Sequence, residues 1–206
     1  MKRYIKAAIV PLFDEPLDVL REIASNPDTP VETLVSLYDQ FNQDSGNYEY
    51  FIMLDLASNP STPVDILEHF CNHRINHSIR NAVASNPSTT LPLLEKLYKG
   101  SSYDVRRYIA DNPNVSVELL RKMSESEPDI TEDYYGMCSA IAANEKTPSD
   151  ILEKLSTSRN GYVRAYVAEN PNTSLDVLRR MLINDKNYWV QYYITKNPNY
   201  DLIMGE

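Results

Sequence analysis

Residues 57–67 read ASNPSTPVDIL, and close variants of that string return along the whole chain. They stand as ASNPDTPVETL at 24–34, ASNPSTTLPLL at 84–94, ADNPNVSVELL at 110–120, AANEKTPSDIL at 142–152 and AENPNTSLDVL at 168–178, with a shortened TKNPNYDLIMG at 195–205. The anchors are Asn26, Asn59, Asn86, Asn112, Asn144, Asn170 and Asn197; all but Asn144, which precedes Glu145, are followed by proline. Self-similarity at this period marks a stacked repeat architecture.

Each copy reads as two short helices. Seven residues before the anchor stand Val19, Ile52, Ile79, Val105, Met137, Val163 and Val190; three before it stand Ile23, Leu56, Val83, Ile109, Ile141, Val167 and Ile194. An alanine follows in all but the last copy, where it is Thr195. These offsets share one helical face, and the alanine lets a neighbouring backbone approach. The Asn-Pro pair ends this first helix, because a residue before proline is pushed out of the α region, and the Asn side chain closes a local turn. Thr29-Pro30-Val31-Glu32, Thr62-Pro63-Val64-Asp65 and Thr147-Pro148-Ser149-Asp150 then read as N-cap, first-turn proline and capping acid of a second helix. Thr173-Ser174-Leu175-Asp176 follows the plan without proline. Its apolar stripe continues in pairs such as Leu34 with Leu37 and Leu67 with Phe70. Neither helix can bury its face alone, so the copies must stack.

The anchors are spaced 33, 27, 26, 32, 26 and 27 residues apart, and in threes these intervals total 86 and 85. The two long intervals carry acidic inserts at corresponding places, 39–50 and 124–135, each ending in tyrosines (Tyr48 and Tyr50; Tyr134 and Tyr135). This implies duplication of a three-copy block, with both inserts on one edge and about 25–30 Å apart.

The repeat resembles the leucine-rich repeat variant family, whose units read V-R-x-x-V-A-x-N-P-x-T-P-x-x-L-x-x-L. Val105-Arg106-Arg107-Tyr108-Ile109-Ala110-Asp111-Asn112-Pro113 and Val163 to Pro171 match its first half, and Ser61 to Leu67 its second. The resemblance covers about residues 17–204. It implies an all-α, right-handed α-solenoid of about seven two-helix repeats with no β-sheet, in one repeat domain over 1–206, its α-helices alternating with short 3₁₀ helices. The longer spacing here favours a fuller first α-helix, as in HEAT-like arrays. Some family members carry an N-terminal cysteine cluster for an iron–sulfur centre; no cysteine precedes Cys71, so that feature does not transfer and no cofactor is expected.

Composition narrows the function. The 206 residues carry a net charge of −9, which disfavours direct nucleic-acid binding and adhesion to anionic lipid. No apolar run reaches membrane-spanning length. Lys2, Arg3 and Lys6 ahead of Ala7 to Phe13 resemble the start of a signal peptide, but Pro11 interrupts the run and Asp14 and Glu15 end it. With only Cys71 and Cys138 as thiols, a cytoplasmic location is expected.

Three groups of residues could carry chemistry. His69, Cys71, His73 and His77 form H-x-C-x-H-x3-H, a weak candidate metal set, since Asn72, Asn76 and Ser78 end the helix near Cys71 and favour a solvated inter-helix loop. Arg80, Arg106 and Arg164 share the position six before the anchor and could form a ladder for an acidic partner or phosphate, though as part of the repeat pattern they read better as partners of the capping acids Glu32, Asp65, Glu118, Asp150 and Asp176. Tyr108, Tyr166 and Tyr193 share the position four before it, and Tyr188, Trp189 and Tyr192 cluster near the end. Tyr and Trp suit interface anchors, or roof a thin core with their polar tips wet. No G-x-S-x-G, P-loop, G-x-G-x-x-G or H-E-x-x-H motif occurs.

The expected function is therefore a non-catalytic repeat scaffold that binds another protein. An acidic mimic of DNA that inhibits a nucleic-acid-binding protein is the first alternative, and a HEAT-like nucleic-acid-modifying enzyme the second. The shortened Asn197 copy reads either as a cap or, through Leu202, Ile203 and Met204, as a homodimer contact.

Overall fold

The computed structural model describes residues 15–41, 47–72, 76–100, 103–126 and 136–205. Among them every regular element is helical and no strand occurs. The chain groups into two compact units, 1–100 and 101–206. The boundary falls between the third and fourth anchors, where the second three-copy block begins.

The first unit holds α1 (Leu17–Ser25), α2 (Val31–Phe41), α3 (Asn47–Ser58), α4 (Val64–Asn72), α5 (His77–Ser85) and α6 (Leu91–Lys99). The first helix of each copy packs on the next, α1 on α3 and α3 on α5. The second unit holds α7 (Tyr103–Asp111), α8 (Val117–Ser126), α9 (Met137–Ala143), α10 (Ser149–Leu155), α11 (Gly161–Glu169), α12 (Leu175–Asn184), α13 (Tyr188–Ile194) and α14 (Tyr200–Met204). Its first helices stack in the same manner, α7 on α9, α9 on α11 and α11 on α13. Both helices of a copy are α-helical, unlike the α and 3₁₀ alternation implied by the family resemblance; the longer spacing leaves room for full turns.

The apolar columns of the sequence become the core. Leu56, Val83, Ile109, Ile141, Val167 and Ile194 are fully buried, as are Leu34, Leu67, Leu94, Leu120, Leu152 and Leu178 from the second helices. Each such side chain contributes about 1.5–3 kcal/mol of burial. Val19 and Ile23, in the first copy, are only half-buried.

The anchor asparagine does more than close a turn. Its Oδ1 accepts the backbone N–H two residues on, at 2.8–3.0 Å in the described copies: Asp28, Ser61, Ser88, Asn114, Lys146, Asn172 and Asn199 donate. Its Nδ2 reaches back one repeat. Asn59 donates to the carbonyls of Ala24 and Asn26, both at 2.8 Å. Asn86 does the same to Ala57 and Asn59, Asn170 to Ala142 and Asn144, and Asn197 to Ala168 and Asn170. Asn144 donates to Ala110 at 2.7 Å. A parallel ladder runs beside it, where the residue two after each anchor donates its side chain to the carbonyl one after the previous anchor. Ser61 to Pro27, Ser88 to Pro60, Lys146 to Pro113, Asn172 to Glu145 and Asn199 to Pro171 are its rungs.

These bonds also account for Asn144. It keeps the extended backbone of its equivalents, φ −71° and ψ 122° against −65° and 127° at Asn170, although no proline follows it. The amide bonds hold the conformation that proline enforces elsewhere.

The second helix starts one residue later than predicted. Thr29, Thr62, Thr89, Thr147 and Thr173 are not its N-caps: each donates its hydroxyl backwards, at 2.5–2.6 Å, to the carbonyl six residues earlier, tying off the first helix. Capping falls to the next residue at Ser116 and Ser174, which accept the N–H of Leu119 and Val177, whereas Thr90 in that place makes no side-chain cap bond. Equivalent surface pairs occur in the two units: Lys96 meets Glu68 at 3.2 Å, and the position-equivalent Arg180 meets Glu153 at 3.6 Å. Of the inserts at 39–50 and 124–135, residues 42–46 and 127–135 lie outside the described residues, as does the N-terminal apolar run.

Candidate functional site

The second unit carries an open groove of about 380 Å³ across its stacked first helices. Its floor is α9, which contributes Ser139, Ala140 and Ala143, with its N-cap Gly136. Arg107 and Asp111 of α7 form one wall, and Tyr162 and Tyr166 of α11 the other, with Asn160 at the rim. The groove exists because α9 carries small side chains where its neighbours carry large ones. Four and eight residues before the anchor stand Ala140 and Gly136 on α9, against Tyr166 and Tyr162 on α11 and Tyr193 and Trp189 on α13. Gly136, with φ +73°, caps α9 in the left-handed conformation that glycine adopts without cost.

Beyond the tyrosine wall the aromatic surface continues onto α13. Tyr188 and Trp189 meet edge to face at 5.3 Å, as do Tyr192 and Tyr193 at 5.3 Å and Trp189 and Tyr192 at 6.2 Å. The Lys196 ammonium lies 5.5 Å from the centre of the Tyr192 ring. Tyr162 is 67% exposed, Tyr188 71% and Trp189 48%. Asn187 fixes this helix by accepting the N–H groups of Trp189 and Val190 at 2.9 and 3.3 Å.

The charged side chains that line the groove are Arg107 and Asp111. The Arg107 guanidinium lies 3.8 Å from the Asp111 carboxylate and 5.9 Å from the Tyr108 ring. Burial pushes the Asp111 carboxyl above its ordinary range, and Arg107 opposes that shift without cancelling it.

The candidates from sequence separate into groups. Trp189, Tyr192 and Tyr166 are exposed, Tyr193 and Tyr108 half-buried; all five lie on first helices of the second unit. Arg80, Arg106 and Arg164 do not line the groove. Arg80 donates to the carbonyl of Gly100 at 2.6 Å, which closes α6. Arg164 donates to both oxygens of Asp185, at 2.6 and 3.2 Å, and to the carbonyls of Ser158 and Arg159. Asp185 in turn closes α12. So Arg80 and Arg164 secure the end of their own copy's second helix, where a cation suits the dipole, and Arg106 is half-buried on α7. The capping acid Asp150 pairs instead with Arg121 of the preceding second helix, at 2.5 and 3.1 Å.

The metal candidates lie on separate elements: His69 and Cys71 on α4, His77 opening α5, and His73 outside the described residues. No group of three or more His, Cys, Asp and Glu side chains fit for a metal ion occurs among the described residues. His69 packs edge to face with Tyr38 at 5.6 Å. Burial pushes the Cys71 thiol up to about 11, so it is a thiol at neutral pH. At the C-terminal end Leu202 and Met204 are exposed, whereas Ile203 is buried. No described helix is long and apolar enough to cross a membrane.

Sequence reasoning missed Tyr162, Arg107 and Asp111. Tyr162 was legible, since it shares its offset from the anchor with Trp189.

This geometry defines an all-helical repeat protein with the fold of a leucine-rich repeat variant. A solved structure described as a leucine-rich repeat variant with a novel repetitive structural motif is similar to this chain with a TM-score of 0.56, at 21% identity, covering 89% of this chain and 67% of that one. No protein-family model and no curated protein matches the chain.

Proposed function

We propose that this repeat scaffold is a non-catalytic, cytoplasmic protein that docks another protein on the first-helix face of its second unit. The observation that carries the reading is the run of exposed rings on two adjacent helices, Tyr162 and Tyr166 on α11 with Trp189 and Tyr192 on α13. A monomer gains nothing by keeping such rings in water, and rigid aromatics are the commonest anchors of protein interfaces. The capping acids support a DNA mimic less, because Asp150 is interleaved with Arg121. The test is affinity capture with the wild-type chain and a Tyr162→Ala, Trp189→Ala double variant. A bound protein set lost in the double variant but kept by Lys96→Ala on another face supports the reading; identical capture by all three chains overturns it.

A further inference from the structure

The groove and the rings together point to the chemistry of the partner, an inference that rests on the docking reading above. Tyr162 and Trp189 occupy the same register on neighbouring helices, as do Tyr166 and Tyr193, and α11 packs directly on α13. Packed helices lie about 8–10 Å apart. The rings therefore repeat at that interval along a line crossing the helices. A polyproline II strand advances about 3.1 Å per residue with three residues per turn, so its prolines return about every 9 Å. The two periods match, and one ring row serves each turn.

Hydrogen bonding fits the same occupant. A polyproline II strand makes no internal hydrogen bonds, so its carbonyls need outside donors. Among the described residues, none of the hydroxyls of Tyr162, Tyr166 and Tyr192, nor the Trp189 indole N–H, is spent on a protein acceptor. They stand beside the ring faces on which prolines pack.

Charge sets the direction. The α9 floor carries no charged side chain from Gly136 to Ala143, so the middle of the occupant is uncharged. At the far wall, among the described residues, the Asp111 carboxylate is paired with Arg107 at 3.8 Å, in a chain of net charge −9. A cation at that end of the occupant completes the carboxylate's partners.

We infer that the face binds a proline-rich segment of another protein, in polyproline II conformation, running from α13 across α11 and α9 and placing a flanking Lys or Arg at Asp111. Three helix spacings correspond to about nine residues of such a strand.

The experiment titrates the full chain with a labelled synthetic peptide of Ala-Pro-Pro repeats ending in Arg. Trp189, the only tryptophan, reports intrinsic fluorescence, and label anisotropy reports the variants. Saturable binding is expected. Tyr162→Ala and Trp189→Ala should each weaken it at least about tenfold, and Asp111→Asn should weaken the Arg-ended peptide but not an Ala-ended one. Both rings are exposed, so a melting temperature equal to wild type shows that the variants fold. An all-Ala version binding equally well, or an amphipathic helical peptide displacing the Pro-rich one, overturns the inference. If affinity capture still depends on Tyr162 and Trp189 while the peptide fails, only the identity of the occupant is wrong. If both fail, the docking reading falls too.

Discussion

The Nδ2 amide of Asn170 lies 2.9 Å from the carbonyl oxygen of Asn144, the same residue one repeat earlier. With 2.8 Å to Ala142 and the Asn172 N–H at 2.9 Å on its Oδ1, one buried side chain closes its own turn and fastens it to the repeat before. Both amide hydrogens and the amide oxygen are used, which aspartate, serine or threonine could not reproduce. That chemistry explains the asparagine at 59, 86, 170 and 197, and at 144, the copy without proline, where Nδ2 donates to Ala110.

Asn170→Asp should destabilise at least as much as Asn170→Ala. The carboxylate keeps the acceptor role but sets a negative charge against two carbonyl oxygens. Losing the donors leaves buried acceptors unsatisfied, at about 1–3 kcal/mol each. Urea unfolding of the two variants side by side checks the order.

Thr147→Val tests the knot that ends the first helix. The Thr147 hydroxyl is fully buried and donates to Ile141 at 2.6 Å. Valine keeps the volume and removes the donor, so a loss of about 1–2 kcal/mol is expected, measured as a shift in urea midpoint at unchanged slope.

Arg164→Leu should cost about 3 kcal/mol at neutral pH, because it strands Asp185, whose side chain is only 10% exposed. Burial alone would raise the Asp185 carboxyl. The Arg164 hydrogen bonds, with backbone N–H groups of Asn187 and Lys186, outweigh that and hold it below the usual carboxylate range. Its contribution is therefore present above about pH 4 and is lost as pH falls below that. Thermal melts of both proteins between neutral and acid pH should show their gap narrowing as Asp185 protonates.

Gly161→Ala should destabilise the α11–α13 contact. A Cβ there would lie 2.6 Å from Asn187 Nδ2, and Asn187 cannot swing aside without releasing the cap of α13. A loss of about 1–2 kcal/mol is expected. Weaker protection of the Trp189 and Val190 amides in hydrogen exchange would locate the damage.

Cys71 should alkylate slowly near pH 8, with the rate rising steeply as pH approaches 11, since only the thiolate reacts. Rapid modification at neutral pH would contradict the burial described for α4.

The repeat, its helix pairs and its core columns were readable from the sequence, because they rest on offsets within one copy: Leu56 and Leu67 declare themselves by spacing alone. The inter-repeat ladder was not. Asn59 and Ala24 come together only after the copies have stacked, and no local pattern announces a bond across that separation. Thr62 misled for a related reason, since a threonine ahead of proline has the sequence of an N-cap while its hydroxyl goes to Leu56 behind it. At the candidate site the tyrosines were legible as a cluster. The groove was not, because it is made by what Gly136, Ala140 and Ala143 lack.

Whether the anchor asparagines clip successive repeats together is decided by comparing Asn170→Ala with Asn26→Ala in urea unfolding. Asn26 occupies the same repeat position but is exposed, and its side-chain bond is local, its Oδ1 accepting the Asp28 N–H at 3.0 Å. A loss of about 1 kcal/mol or less is expected for Asn26→Ala and several-fold more for Asn170→Ala. Equal losses at the two positions would mean that the asparagine acts only within its own turn.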